Sequence, residues 1–166
     1  MKKLCRLLSL IAILFGYACS ESGTEPALRH FDLQLKYGIL ARNELNTFDN
    51  TVTKDLIVDG QATTRLVLSV KDLDTLESRF VAIDINSYPD TFVVQTGDTV
   101  CTITPYVTYS MKIRMGSTWK EVFWEDSILS SDPRATRLRQ VLAFVQNLIE
   151  SKPEYQQLPP ARGGYL

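Results

Sequence analysis

Histidine and cysteine are scarce in this sequence, and their scarcity limits the chemistry that it can carry. The 166 residues include one histidine, His30, and three cysteines, Cys5, Cys19 and Cys101. Structural zinc sites use four nitrogen or sulfur ligands, and every nucleophile–histidine–acid arrangement would have to use His30. We expect His30 to be a solvated surface residue and Cys101 to be a small buried side chain in a strand. The sequence therefore predicts no metal site and no cofactor.

Motifs for other catalytic sites are also missing. The sequence contains neither a G-x-S-x-G nucleophile elbow nor a glycine-rich phosphate loop. Glu121 and Glu125 would lie about 13 Å apart on one strand face, which is too far for the paired acids of a glycosidase. We therefore predict no catalytic residues and a protein that is not an enzyme.

The N-terminus has the pattern of a signal peptide over residues 1–18. Lys2, Lys3 and Arg6 precede an uncharged run, LLSLIAILFGY, at residues 7–17. Eleven helical residues rise only about 16 Å, well short of the ~30 Å hydrocarbon core of a bilayer. A buried hydrophobic helix is the alternative, but the run has no polar face to orient it.

The stretch GYAC at residues 16–19 ends this segment, and a polar tether follows it. GYAC resembles the lipobox of bacterial lipoproteins, in which the cysteine receives fatty acyl chains such as palmitate and becomes the first mature residue. The resemblance implies cleavage after Ala18 and lipidation of Cys19. Ser20 in the next position implies transfer to the outer membrane in preference to the inner membrane. The alternative is ordinary cleavage after Ala18, which would release a free secreted domain.

Composition favours one folded domain and disfavours a nucleic-acid partner. Loss of residues 1–18 removes three basic side chains and no acids, which changes the net charge from −1 to −4. The remaining sequence has no basic cluster, as nucleic-acid binding would require. We predict a lipidated tether at 19–27, a single α+β domain at 28–158 and a C-terminal tail at 159–166. The predicted partners are a membrane, reached through the lipid, and a protein of unknown identity.

Hydrophobic periodicity predicts a mostly antiparallel sheet with two helices packed on one face, in the order strand, helix, strand, helix. Apolar residues alternate with polar ones from 31 to 37, whereas spacings of three and four predict helices at about 70–84 and 133–151. Ser69 with Asp72 resembles a shortened capping box before the first helix, and Ser131-Asp132-Pro133 predicts the start of the second. A short strand at 99–103 is expected to be interrupted at Pro105. The segment EYQQLPPARGGYL at residues 154–166 contains too much proline and glycine for regular structure.

The clearest hairpin signal lies in the segment 107–126. A two-residue turn at Gly116 and Ser117 pairs Met115 with Thr118, and the same register brings Arg114 opposite Trp119. Trp119, Phe123 and Arg114 would then share the face that points away from the helices. Exposed aromatic residues on an open sheet face form a candidate recognition surface.

The globular part also resembles uncharacterised bacterial envelope lipoproteins. The resemblance rests on N-E-L-N-T-F at 43–48, Y-P-D at 88–90 and W-E-D at 124–126. It implies the bacterial envelope and no particular activity. The favoured hypothesis is a lipid-anchored, non-catalytic binding or structural module. The alternative is a periplasmic inhibitor or immunity-like partner of an enzyme, which would use the Trp119 and Phe123 face or the tail.

The lipobox interpretation predicts that Cys19→Ala releases the protein from membranes, because the acyl chains are its anchor. Fractionation of cells that express the wild type or the variant, followed by immunoblotting, measures this. Membrane retention of the variant at the wild-type level would reject lipidation at Cys19.

Overall fold

The computed structural model of the chain describes residues 31–96 and 101–166. The expected cleavage site at Ala18, the expected lipidation site at Cys19 and the residue His30 lie outside the described residues. The elements are, in chain order, β1 (Phe31–Tyr37), β2 (Asn43–Asn46), β3 (Thr51–Ile57), β4 (Gly60–Arg65), α1 (Val70–Ala82), a 3-10 turn (Ile85–Ser87), β5 (Thr91–Phe92), β6 (Cys101–Met115), β7 (Thr118–Leu129), α2 (Pro133–Glu150) and α3 (Pro153–Gln156).

The strands form one mixed seven-stranded sheet in the order β4-β3-β2-β1-β6-β7-β5. Every neighbouring pair is antiparallel except β5 and β7, which run parallel. The connection through α1 carries the chain from β4 at one edge to β5 at the other. The predicted α+β class with a mostly antiparallel sheet is confirmed, and the parallel edge strand is an addition to it.

The long β6–β7 hairpin has the predicted register. Met115 pairs with Thr118 across the turn, and Arg114 pairs with Trp119. Gly116 in the turn has φ of +59°, a left-handed conformation that glycine adopts without steric cost. The local cross-strand pairs and the turn chemistry therefore suffice to specify this hairpin.

The start of β6 differs from the prediction in two ways. The strand is continuous through Pro105, so the expected interruption is wrong. The register shifts between Thr102 and Val107, and proline is tolerated there because no regular ladder needs its missing N–H. Cys101 is exposed, so its predicted burial is also wrong. Residues 101–106 are all exposed, because this end of the hairpin extends away from the core.

One hydrophobic core gathers side chains from the sheet and from both long helices. Alternate residues of each central strand enter this core, while their neighbours point to the opposite face. The largest fully buried side chains are Trp124, Tyr88, Phe80, Leu33, Leu35, Leu45, Leu76, Ile85, Met111, Ile113, Leu138 and Leu142.

Both long helices begin at the predicted caps. Ser69 and Asp72 form a reciprocal capping box at the start of α1. The Asp132 carboxylate accepts from the backbone N–H groups of Arg134 and Ala135, at 2.7 and 3.2 Å. Pro133 occupies the first turn of α2, where its missing N–H leaves no intrahelical bond unmade.

The C-terminal segment is more ordered than the sequence predicts. Residues 153–156 form the short helix α3, so the expectation of no regular structure is wrong; Pro153 favours this first turn because its φ is already helical. Further along, the Arg162 guanidinium makes two 2.6 Å hydrogen bonds with the Asp59 carboxylate, and the Tyr165 hydroxyl donates to Asp55. The tail therefore lies along the end of β3 and β4.

The α2 cap predicts a pH-dependent loss of stability. Burial alone would raise the pKa of Asp132, but hydrogen bonds from three backbone amides outweigh it and lower the pKa of this carboxyl. A depressed folded-state pKa stabilises the fold above the unfolded-state pKa, and this contribution is lost as the pH falls below about 4. Asp132→Ala should cost about 1 kcal/mol at pH 7 and less at pH 3.

Asp132→Asn is the matched control, since asparagine caps helices about as well as aspartate but does not titrate. This variant should keep most of the wild-type free energy of unfolding at pH 7. It should lose only the part of the pH dependence that the Asp132 carboxyl contributes. Urea unfolding followed by circular dichroism at both pH values measures these differences. Equal stability of the alanine variant and the wild type at pH 7 would contradict the capping role.

Candidate binding surface

The open face of the sheet carries the residues that the sequence singled out. Trp119 and Phe123 are 52% and 40% exposed, whereas Val122 and Trp124 between and beyond them are buried in the core. Arg114 is directly opposite Trp119 on β6. The structure therefore brings Trp119, Phe123 and Arg114 to one side of the sheet, away from the core.

Phe48 also lies on this surface, although the sequence did not predict it as part of the binding face. Its ring is nearly parallel to the Trp119 indole, with an interplanar angle of 8° and 5.6 Å between centroids. Phe48 belongs to the turn between β2 and β3. The sequence does show an aromatic residue in an otherwise polar turn. It contains no pattern, however, that predicts that this turn extends across β1 and β6 to reach Trp119.

Two cationic side chains flank the rings. The Lys112 ammonium lies 5.2 Å from the Trp119 centroid, and the Arg114 guanidinium lies 5.7 Å from Phe48 and 5.9 Å from Trp119. These distances are within the range of a favourable cation–π attraction. We call Phe48, Lys112, Arg114 and Trp119 the aromatic patch.

A buried carboxylate fixes the position of Arg114. Asp32 on β1 is 2% exposed and forms an ion pair with Arg114. The Thr47 hydroxyl donates to Asp32 at 3.0 Å and accepts from the Leu33 backbone N–H at 2.8 Å. Through Thr47, the same network ties the turn that carries Phe48 to strand β1.

The turn itself is held by side-chain hydrogen bonds. The Asn46 carbonyl oxygen accepts from the backbone N–H groups of Phe48 and Asp49, at 3.0 and 3.3 Å. The Asn46 amide donates to the Asp49 carboxylate at 2.7 Å. Such local bonds restrict the turn backbone, so the Phe48 side chain projects from a backbone that is held in one conformation.

Two shallow hollows extend from the aromatic patch along β7. One of about 250 Å³ is lined by Gln34, Asn46, Phe48, Asp49, Lys112 and Trp119. A second of about 360 Å³ is lined by Gln34, Asp90, Ser110, Met111, Lys112, Glu121, Val122 and Phe123. They share Gln34 and Lys112, so one continuous surface runs from Phe48 to Phe123.

The cations of this surface have acidic partners on the same face. Arg114 is paired with Asp32, and the Lys112 ammonium lies 3.7 Å from the Glu121 carboxylate. The lining amide of Gln34 donates to Glu44 at 2.7 Å. Asp49 and Asp90 also line the hollows, and the Asp90 carboxylate lies 2.7 Å from the Lys120 ammonium. The surface therefore combines aromatic rings with hydrogen-bonding groups.

The Arg114–Asp32 pair predicts that two alanine variants on the same strand, Arg114→Ala and Lys112→Ala, lose different amounts of stability. Arg114→Ala leaves the Asp32 carboxylate buried without its cation, which should lower the free energy of unfolding by about 3 kcal/mol. Lys112→Ala, two residues away, removes a partner of an exposed glutamate and should cost under about 0.5 kcal/mol.

Urea unfolding at pH 7 compares the two variants. Adding Asp32→Ala to Arg114→Ala should recover part of the loss, because the stranded charge is then gone. Equal losses for Arg114→Ala and Lys112→Ala would show that the Asp32 carboxylate does not depend on Arg114.

Comparisons with known proteins place no further constraint on this surface. No protein-family profile, no curated protein and no solved structure matches the chain. Among residues 31–96 and 101–166, no group of three or more His, Cys, Asp and Glu side chains is arranged to hold a metal ion. In the same two ranges, no helix combines the length and the apolar character needed to cross a membrane.

Proposed function

We propose that this chain is a lipid-anchored binding protein of the bacterial cell envelope that acts by contact through the aromatic patch and Phe123. The observation that carries the proposal is the exposure of Trp119 and Phe123 on a sheet face that is otherwise polar. Exposed aromatic side chains that cluster on one surface, as Trp119 does with Phe48, mark recognition sites more often than scattered apolar residues do. Tryptophan and arginine are also the residues that contribute most to binding interfaces.

The rigidity of the site supports a binding role. Trp119, Phe123 and Arg114 project from two strands of the longest hairpin in the sheet, and the turn bonds of Asn46 restrict Phe48. Side chains that are already ordered lose less conformational entropy when a partner binds. The docked tail contacts Asp55 and Asp59 and leaves Trp119 exposed.

The proposal includes the arrangement of the helices and the order strand, helix, strand, helix. We infer that α1 and α2 both cover the sheet face opposite the aromatic patch. The shared core supports this, because it contains Phe80 of α1, Leu142 of α2 and the inward-facing Leu33 of β1. The face covered by the helices would then stabilise the fold, and the open face would remain free for a partner.

The anchor limits where the partner can be. A chain of twelve residue steps separates Cys19 from Phe31 at the start of β1, and it spans at most about 40 Å when extended. A domain that is tethered at Cys19 would meet only components close to the membrane surface. Outer-membrane attachment through the lipid is part of this proposal, as is the absence of a nucleic-acid role.

Photo-crosslinking in intact cells tests the proposal. A photoreactive amino acid in place of Glu121, which lies between Trp119 and Phe123 on the same face, should capture an envelope component. Trp119→Ala in the same background should reduce the yield about tenfold, because it removes the main contact. The matched control is the same photoreactive residue in place of Val81, an exposed position on α1.

The control position should give no Trp119-dependent product. If Glu121 yields no adduct, or if its yield does not depend on Trp119, the open face is not a contact surface. An adduct to an envelope enzyme would identify the chain as an inhibitor or immunity-like partner.

A further inference from the structure

We infer that the ligand of the aromatic patch is a neutral saccharide chain. This inference rests on the proposed function, because it names the ligand class of the same surface. Saccharide rings present apolar C–H groups on their faces and hydroxyl groups at their edges. A protein site for them therefore needs aromatic rings beside hydrogen-bonding side chains.

Charge is the first argument. The cation closest to the indole, Lys112, already has Glu121 within 3.7 Å, and Arg114 is paired with Asp32. An anionic ligand would have to compete with these carboxylates, and a cationic ligand would meet the two cations. Matched charges neither attract nor orient a charged partner. The hollows also contain the carboxylates of Asp49 and Asp90, of which Asp90 is paired with Lys120. The acids disfavour an anionic ligand and the two cations disfavour a cationic one, so an uncharged ligand fits this surface best.

The distribution of aromatic and polar groups is the second argument. Trp119 and Phe123 are four residues apart on β7, which is about 13 Å along the strand. Between them the lining supplies the amide of Gln34, the hydroxyl of Ser110 and the carboxylate of Glu121. Aromatic faces carry negative potential that attracts polarised C–H groups, while the amide, hydroxyl and carboxylate can bond ligand hydroxyls.

The small apolar area is the third argument, and it distinguishes a saccharide from a protein. A stable protein interface buries about 800 Å² on each partner, with a core that is depleted of charge. In the two hollows the exposed apolar groups reduce to the stacked rings of Phe48 and Trp119 and to the ring of Phe123, which charged or amide groups separate from that pair. An extended, hydroxyl-rich chain fits separated rings better than a compact apolar surface does.

The test is calorimetric titration of the full chain with defined tetrasaccharides. The protein is kept in a polyoxyethylene detergent, because detergents with sugar headgroups would compete. The neutral probes are chitotetraose, cellotetraose and maltotetraose, and tetragalacturonate is the anionic comparator. At least one neutral probe should bind with a dissociation constant below about 1 mM.

Variants assign the binding to the surface. Trp119→Ala and Phe123→Ala should each weaken the affinity for that probe about tenfold, while Val81→Ala on α1 should leave it unchanged. Urea unfolding of each variant confirms that it is folded. Binding of the anionic comparator alone, binding of no probe, or binding that is independent of Trp119 would overturn the saccharide assignment.

The two experiments separate the two proposals. A Trp119-dependent protein adduct at Glu121, with no neutral tetrasaccharide bound, keeps the contact function and rejects the saccharide. Trp119-dependent binding of a tetrasaccharide together with a glycan adduct at Glu121 supports both. The absence of any adduct at Glu121 rejects the proposed function itself.

Discussion

The ion pair between Asp32 and Arg114 is the interaction on which the open face of the sheet depends. Asp32 is 2% exposed, and a carboxylate at that depth is costly to bury unless a cation and hydrogen bonds compensate it. Arg114 supplies the cation, and the Thr47 hydroxyl supplies a hydrogen bond. One charged group thereby connects β1, β6 and the turn after β2. Because a slip of one residue between β1 and β6 would strand this carboxylate, the pair also favours a single register.

The two faces of the sheet differ in the side chains that they carry, because successive residues of a strand point to opposite sides. On one face the alternate residues of the strands are apolar and enter the core, as Leu33 and Ile113 do. On the other face Arg114 is fixed by Asp32, and the Phe48 and Trp119 rings lie beside it. A surface that is ordered before binding loses little entropy on association. The structure thus concentrates its ordered, exposed aromatic groups where no other described segment covers them.

The sequence predicts the features that depend on local patterns. The β6–β7 register, the capping box at Ser69 and the start of α2 were predictable because turn chemistry and periodicity act over a few residues. The features that the sequence did not predict depend on long-range geometry. The exposure of Cys101 depends on where the hairpin leaves the core, and the parallel pairing of β5 depends on a connection across the whole sheet. Phe48 was missed for the same reason, since its neighbour Trp119 is distant in sequence.

The central claim is that the open sheet face is covered by a partner in the cell. Hydroxyl-radical footprinting measures this directly, by comparing the oxidation rates of individual side chains in intact cells and in the purified full chain. The account predicts that Trp119 and Phe123 are oxidised several-fold more slowly in cells, while Val81, an exposed residue on α1, changes little. Equal oxidation of Trp119 in the two samples would contradict the account.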